Sequence, residues 1–266
     1  MSPARRALVL LGGAGLVPRA DEPLAALLPA GAPPGRAEKL ARMDRLCALA
    51  TCAAERALIG GWQLRQAPRW PSEQIAVIIG SSYGCHKTDE DYYRTVLGQQ
   101  PSPRLFAYTL PSSPVGELSI LHGLRGPGLA VVGARSAGLA ALAEASVLLH
   151  SGQAAACLVV AVEVAAPAAR EAWAEKDEEV ADAAVALAAQ LSATYRQRSQ
   201  PTQVVVAPLA GDQATIDTPS IPMERVFIVK EGPDNGLSLV GSGGIPQLRI
   251  SGPANKLKNA ARLLTN

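Results

Sequence analysis

Two hydrophobic rhythms alternate along the first two thirds of the chain. One is the short unbroken apolar run, which predicts a strand buried on both faces. The other is an apolar residue every three or four positions, which predicts a helix with one buried face. Ala7 to Leu11 reads as a first strand, followed by a Gly-rich turn and a Pro/Gly loop, "PAGAPPGR", at 29 to 36. In "EKLARMDRLCALATCAAERALIGG" the positions Leu40, Met43, Leu46, Cys47, Ala50 and Ala54 share a helical face. A helix is expected from about Glu38 to Ile59, ended by Gly60-Gly61. "QIAVIIGSSYG" is a strand stopped at Gly80, and "TDEDYYRTVLG" a helix with Thr88 as its cap. A proline-broken loop then leads to a helix at about Val115 to His122 and a turn at Gly126-Pro127-Gly128.

"GLAVVGARSAGLAALAEASVLLHSG", 128 to 152, reads as strand, tight turn and long helix, and "AACLVVAVEVAA" as another buried strand. "VADAAVALAAQ" fits either type, because alanine favours a helix while the apolar run allows a strand. Alternating strands and helices predict an α/β layer fold on a mostly parallel sheet. Beyond about Ser199 alanine thins out and Ile, Pro, Gly, Thr and Asn rise. "TQVVVAPLAG", "MERVFIVKEG", "GLSLVGSGG" and "IPQLRISG" are β-like runs between turns such as Asp234-Asn235-Gly236, and "ANKLKNAARLL" could close the chain as a short helix. Two parts are therefore expected: residues 1–198, and a β-rich C-terminal segment, 199–266, of unassigned role.

Composition narrows the class. The 266 residues contain few aromatics, so alanine, leucine and valine must supply a closely packed core. A net charge of +2 gives no argument for nucleic acid or an anionic membrane as partner. No apolar run reaches the roughly 18 residues of a spanning helix. Arg5, Arg6 and the apolar stretch behind them superficially resemble a secretory leader, but glycines interrupt it, and a first strand is the preferred reading. Cys47, Cys52, Cys85 and Cys157 lack metal or redox spacing. Buried free thiols in a reducing cytoplasm are expected, with no metal site and no cofactor.

With these segments in order, residues 7 to about 190 resemble the N-terminal half of a β-ketoacyl synthase, in the thiolase-like superfamily. "ARMDRLCALATCAAERAL" is similar to the family's first long helix, and "IAVIIGSSYG" to its second strand and glycine turn. "LPSSPVGELSILHGLRGPG" is similar to the segment before the nucleophile strand. "VVGARSAGLAALAEASVLLHSGQAAACLVVAVEV" is similar to the nucleophile elbow, its helix and the next strand, and "DAAVALAAQ" falls where the half-domain's last strand would lie. The resemblance implies a thiolase-like half-domain.

Two departures bear on function. The family's elbow cysteine falls on Arg135, and the family's catalytic histidines belong to a C-terminal half for which the chain is expected to be too short. None of His86, His122 and His150 matches a catalytic position. A condensing cysteine works as a thiolate whose pKa is lowered by a helix N-terminus and nearby cations. A guanidinium stays protonated and offers no nucleophilic lone pair. Arginine at the positive end of a helix dipole needs an anion or solvent. Glu163 is a possible internal partner, and a bound carboxylate or phosphate another. Arg135 is thus either an anion-binding or scaffolding residue, with Ser136 beside it at the same substrate site, or a residue drifting at a disused one.

The sharper alternatives are weaker on chemical grounds. Ser136 as a displaced nucleophile has no general base in sight. Cys85 and His86, adjacent in a loop, seldom face each other as a pair. "TDEDYY" is a solvated helix start, and "VGSGGIP" lacks the lysine of a phosphate loop. The resemblance implies a non-condensing partner or chain-length-setting subunit of an active ketosynthase, in fatty-acid or polyketide-type synthesis. Expected associations are a full-length ketosynthase or self-association in a dimer, with acyl carrier protein as a further possibility. Two alternatives stay open: an acyl-thioester transferase or decarboxylase working electrostatically through Arg135, and a non-functional truncated ketosynthase.

Overall fold

The computed structural model describes residues 8–18, 22–61, 70–133, 137–167, 182–191, 214–217, 226–231 and 237–241. Five strands form the heart of the sheet: β1 (Leu8–Val17), β2 (Ile75–Ser81), β3 (Gly128–Val132), β4 (Ala156–Glu163) and β5 (Ala183–Leu191). They lie in the order β3-β2-β4-β5-β1. β2 runs parallel to β3 and β4, while β5 is antiparallel to both β4 and β1. Four strands therefore share one direction and β5 opposes them. Three further strands, β6 (Ala214–Asp217), β7 (Val226–Glu231) and β8 (Leu237–Gly241), continue the sheet beyond β1. β6 and β7 pair antiparallel with β1, and β8 with β7.

The unbroken apolar runs divide cleanly between two cores, because successive side chains of a strand point to opposite faces. Ile75, Val77 and Ile79 of β2, with Ala156, Leu158, Val160 and Val162 of β4, face the long helix α2 (Arg45–Gly61). Ala76 and Ile78, with Cys157 and Val159, face α6 (Ala137–His150). Alanines at Ala50, Ala53, Ala54 and Ala57 of α2 are fully buried, which lets that helix lie close on the sheet. Between these elements come α1 (Arg36–Leu40), α3 (His86–Leu97), the single turn α4 (Pro103–Phe106) and α5 (Ser113–His122), the last packing against α2. None of the described helices is long and apolar enough to cross a membrane.

Three local differences from the sequence reading have physical causes, and one reading left open is settled. The helix expected from Glu38 is two helices. Asp44 interrupts it and caps α2 by accepting the Cys47 N–H at 2.9 Å. Thr88 is not the cap of α3, which starts at His86. It lies inside the first turn and donates its hydroxyl to Asp44 at 2.6 Å, joining α3 to the start of α2. The alanine-rich run 183–191 is a strand, since both its edges are occupied by β4 and β1, and tertiary pairing overrides alanine's helical preference. β1 extends to Val17 through its glycines, with a bulge between Leu10 and Gly12. The turn at 234–236 and the closing helix expected at 254–264 lie outside the described residues.

Candidate functional site

The carboxyl ends of β2, β3 and β4 meet at the start of α6. Gly133, just after β3, has φ 127°, a left-handed-side conformation that glycine adopts without a Cβ penalty. Its N–H donates to the Ser81 carbonyl at 3.2 Å, tying the end of β3 to the end of β2. The chain then enters α6 at Ala137, whose first residues Ala137, Gly138 and Leu139 are buried. Gly80 makes this close approach possible: a Cβ there would lie 2.4 Å from the Ala137 carbonyl oxygen. Strand and helix therefore stand where the pattern of 128–152 predicts them. Arg135 and Ser136, the residues of chemical interest in that turn, lie outside the described residues.

Glu163 ends β4 and is 5% exposed. Its Oε2 accepts the Ser82 N–H at 2.7 Å, and its Oε1 accepts the Tyr83 N–H at 3.3 Å and the Ser81 hydroxyl at 3.2 Å. Ser81 Oγ in turn accepts the Gly84 N–H at 2.8 Å. The carboxyl thus spends its acceptors on the turn between β2 and α3. Burial pushes its pKa up to about 7, against the opposing pull of the hydrogen bonds from Ser82, Tyr83 and Ser81. The signal for this cluster was present in the sequence as a lone acid ending an apolar run, but its partners were not.

The other candidate groups do not assemble into nucleophilic machinery. Cys85 is buried and donates its thiol to Asp89 at 3.3 Å, and burial raises its pKa to about 12. Its neighbour His86 turns outward to Glu90, 4.0 Å away. The pair is no Cys–His dyad. Cys52 and Cys157 are likewise pushed to about 12 by burial, and Cys47 is raised further still. His150 binds the Ser146 carbonyl at 2.7 Å at the end of α6. His122 approaches Glu55 at 3.8 Å, and Glu55 is ion-paired with Arg36 at 2.6 Å, all inside the contact of α1, α2 and α5. Arg45 pairs with Asp182 at 2.5 Å, and Asp182 also accepts the Ala165 N–H at 3.0 Å, fixing the segment after β4 against α2. None of these ties was read from the sequence. Only Asp44, an N-cap residue before a long apolar helix, carried a local signal. Among the described residues no group of three or more His, Cys, Asp or Glu side chains is placed to hold a metal.

Residues 30–176 match the family described as "Beta-ketoacyl synthase, N-terminal domain". No curated protein matches the sequence. Among solved structures, the ishigamide ketosynthase/chain length factor is similar over 69% of this chain and 62% of its own, with 22% identity and a TM-score of 0.53. A type II polyketide synthase acyl-carrier protein in complex with its ketosynthase bound to the hexaketide is similar over 70% and 63%, with 15% identity and a TM-score of 0.57. A ketosynthase in complex with its chain length factor, from Xenorhabdus doucetiae, is similar over 84% and 95%, with 18% identity and a TM-score of 0.52. The chain thus spans under two thirds of the length of the first two. At these identities the likeness establishes the thiolase-like ketosynthase fold.

Proposed function

Since the chain belongs to the β-ketoacyl synthase N-terminal domain family, we propose that it is a non-condensing partner subunit of an active ketosynthase. The observation that carries the reading is the elbow itself. The strand, the Gly133 turn, the glycine-permitted approach at Gly80 and the buried start of α6 are all present, while the sequence places Arg135 where the family has its thiol. A scaffold that keeps the elbow without a thiol at it is what a pairing subunit requires. In this role it shapes the acyl cavity of the pair, and so chain length, in polyketide or fatty-acid type synthesis, with acyl carrier protein approaching the active partner.

The surface supports association. β3 is an edge strand, so one row of its backbone groups is unpaired within the described sheet. Leu129 and Val132 on β3 are 36% and 48% exposed, and Ile120 on the neighbouring α5 is 80% exposed. Large apolar side chains gathered at an open sheet edge are ordinarily covered by a partner. The partner of best fit is a full-length ketosynthase, with a second copy of this chain as the alternative.

The test is co-expression with ketosynthases encoded beside it, followed by light scattering on the purified species. A stable heterodimer burying at least about 2,000 Å² is expected. A monodisperse monomer that ignores every such ketosynthase overturns the proposal. Mass spectrometry after incubation with a malonyl thioester separates the enzymatic alternative: no acyl adduct and no decarboxylation are expected. Turnover lost in Arg135→Ala would instead assign an electrostatic enzyme. Arg135→Cys alone should not restore condensation, because a condensing thiol also needs a general base and none of His86, His122 and His150 matches a catalytic family position.

A further inference from the structure

β1 is the first strand of the chain and the last of the five at the heart of the sheet. β5 takes one of its edges, from Leu8 to Leu16. Without the C-terminal strands the other edge would be bare over ten residues, "LVLLGGAGLV", with no charge and no proline to discourage another strand. An apolar edge of that length is a template for pairing with a second chain. β3, at the opposite end of the described sheet, is open as well. A sheet bare at both ends can pair β1 of one copy with β3 of the next, a head-to-tail contact that need not close into a ring.

The C-terminal strands occupy the β1 edge in two places. β6 pairs with Ala14 to Val17, and β7 with Leu8 and Val9. Both are antiparallel to β1, so they follow one another along it in the same direction. The stretch between them holds the β1 bulge, where the ladder with β5 shifts register between Leu10 and Gly12. The outer edges that result are β6, four residues, and β8, five. β6 lies off the path that runs from β1 through β7 to β8, so the two do not form one continuous edge. A ten-residue edge has become two short ones beside a bulge. Short edge strands and bulges are among the devices by which sheets discourage further pairing.

We infer that β6, β7 and β8 are an edge guard in cis: they cover β1 so that the sheet does not grow into an open-ended assembly through that side. This gives a role to the β-rich segment, which lies beyond the residues 30–176 matched by the family. The inference rests on strand pairing, and it stands whether or not a ketosynthase is the partner at β3.

Neighbouring residues of a strand direct their N–H groups to opposite edges, so a strand paired on one side protects every second amide and a strand paired on both protects all of them. The experiment is NMR hydrogen exchange on the full chain, with no ketosynthase present, read at Gly15 and Leu16. One of these amides faces β5 and the other β6. Both should be protected in the wild type. In the double variant Thr215→Pro with Ile216→Pro, β6 loses its ladder N–H there whichever of the two supplies it. One of the two β1 amides should then exchange at least about tenfold faster while its neighbour stays slow. Light scattering over a concentration series should show this variant growing past a dimer while the wild type does not. Ile216→Gly keeps every N–H and only weakens the strand. It should show the same growth to a smaller extent, and it decides the matter if the double variant does not fold. Protection of only one of Gly15 and Leu16 in the wild type would overturn the inference, as would variants that uncover the amide yet scatter as the wild type does.

Discussion

Truncating Glu55 to alanine strands Arg36 inside the protein. The pair is 2.6 Å apart, and the side chains are 5% and 1% exposed, with His122 3.8 Å from the same carboxylate. An ion pair at a protein surface is worth about 0.2–1 kcal/mol, because water screens it and both side chains lose freedom. These exposures place the pair in the other regime. There, removing one partner leaves a desolvated charge and costs about 3–5 kcal/mol. Replacing both partners by apolar residues of similar volume, Arg36→Met with Glu55→Leu, removes the desolvation cost together with the attraction, and should come out near neutral or stabilising. The assay is urea unfolding, followed by circular dichroism, of the wild type, Glu55→Ala, the single variants Arg36→Met and Glu55→Leu, and their double variant. Glu55→Ala should lose about 3–5 kcal/mol, a large share of the 5–15 kcal/mol typical of a folded domain. The double variant should recover most of it. A Glu55→Ala loss under about 1 kcal/mol, or a double variant as unstable as the two single losses summed, would refute the assignment of this pair as a buried, coupled one.

Glu163 makes stability depend on pH. Its proton is held up to about pH 7 in the fold but leaves near 4.5 in the unfolded chain. Its contribution is therefore complete below pH 4.5 and lost as pH rises to 7, on the order of 3 kcal/mol. Glu163→Gln should flatten that part of the curve, and an unchanged curve would exclude Glu163 as its source. Gly80→Ala drives a Cβ to 2.4 Å from the Ala137 carbonyl oxygen. Overpacking against backbone should cost about 1–3 kcal/mol and lower Tm by several degrees in a thermal melt. A Tm equal to wild type would show that α6 can retreat freely. All four buried thiols should resist alkylation of the native chain and react only after denaturation, since burial holds Cys52, Cys85 and Cys157 near 12. Rapid labelling of Cys85 under native conditions would contradict that.

The elements around the elbow were legible in the sequence because their information is local. The run Ile75 to Ile79 and its counterpart Ala156 to Val162 are apolar at every position, which only a strand covered on both faces can tolerate. The turn before α6 announces itself through Gly133 and the small residues after it. From the ordered segments the family resemblance followed, and with it the expectation that Arg135 stands where the family has its thiol. Strand order, the reversal of β5 and the fate of each polar group were not legible. A run such as "AAVALAAQL" has no period that separates strand from helix, and it becomes a strand because β4 and β1 offer it two edges. The partners of Glu163 lie 80 to 82 residues away in the chain, and those of Asp182 include Arg45, 137 residues distant. No spacing rule reaches that far. The sequence alone could determine which residues are apolar and where the chain turns. Only packing in three dimensions could decide which buried charges meet, because a desolvated carboxyl accepts whatever donors the fold brings to it.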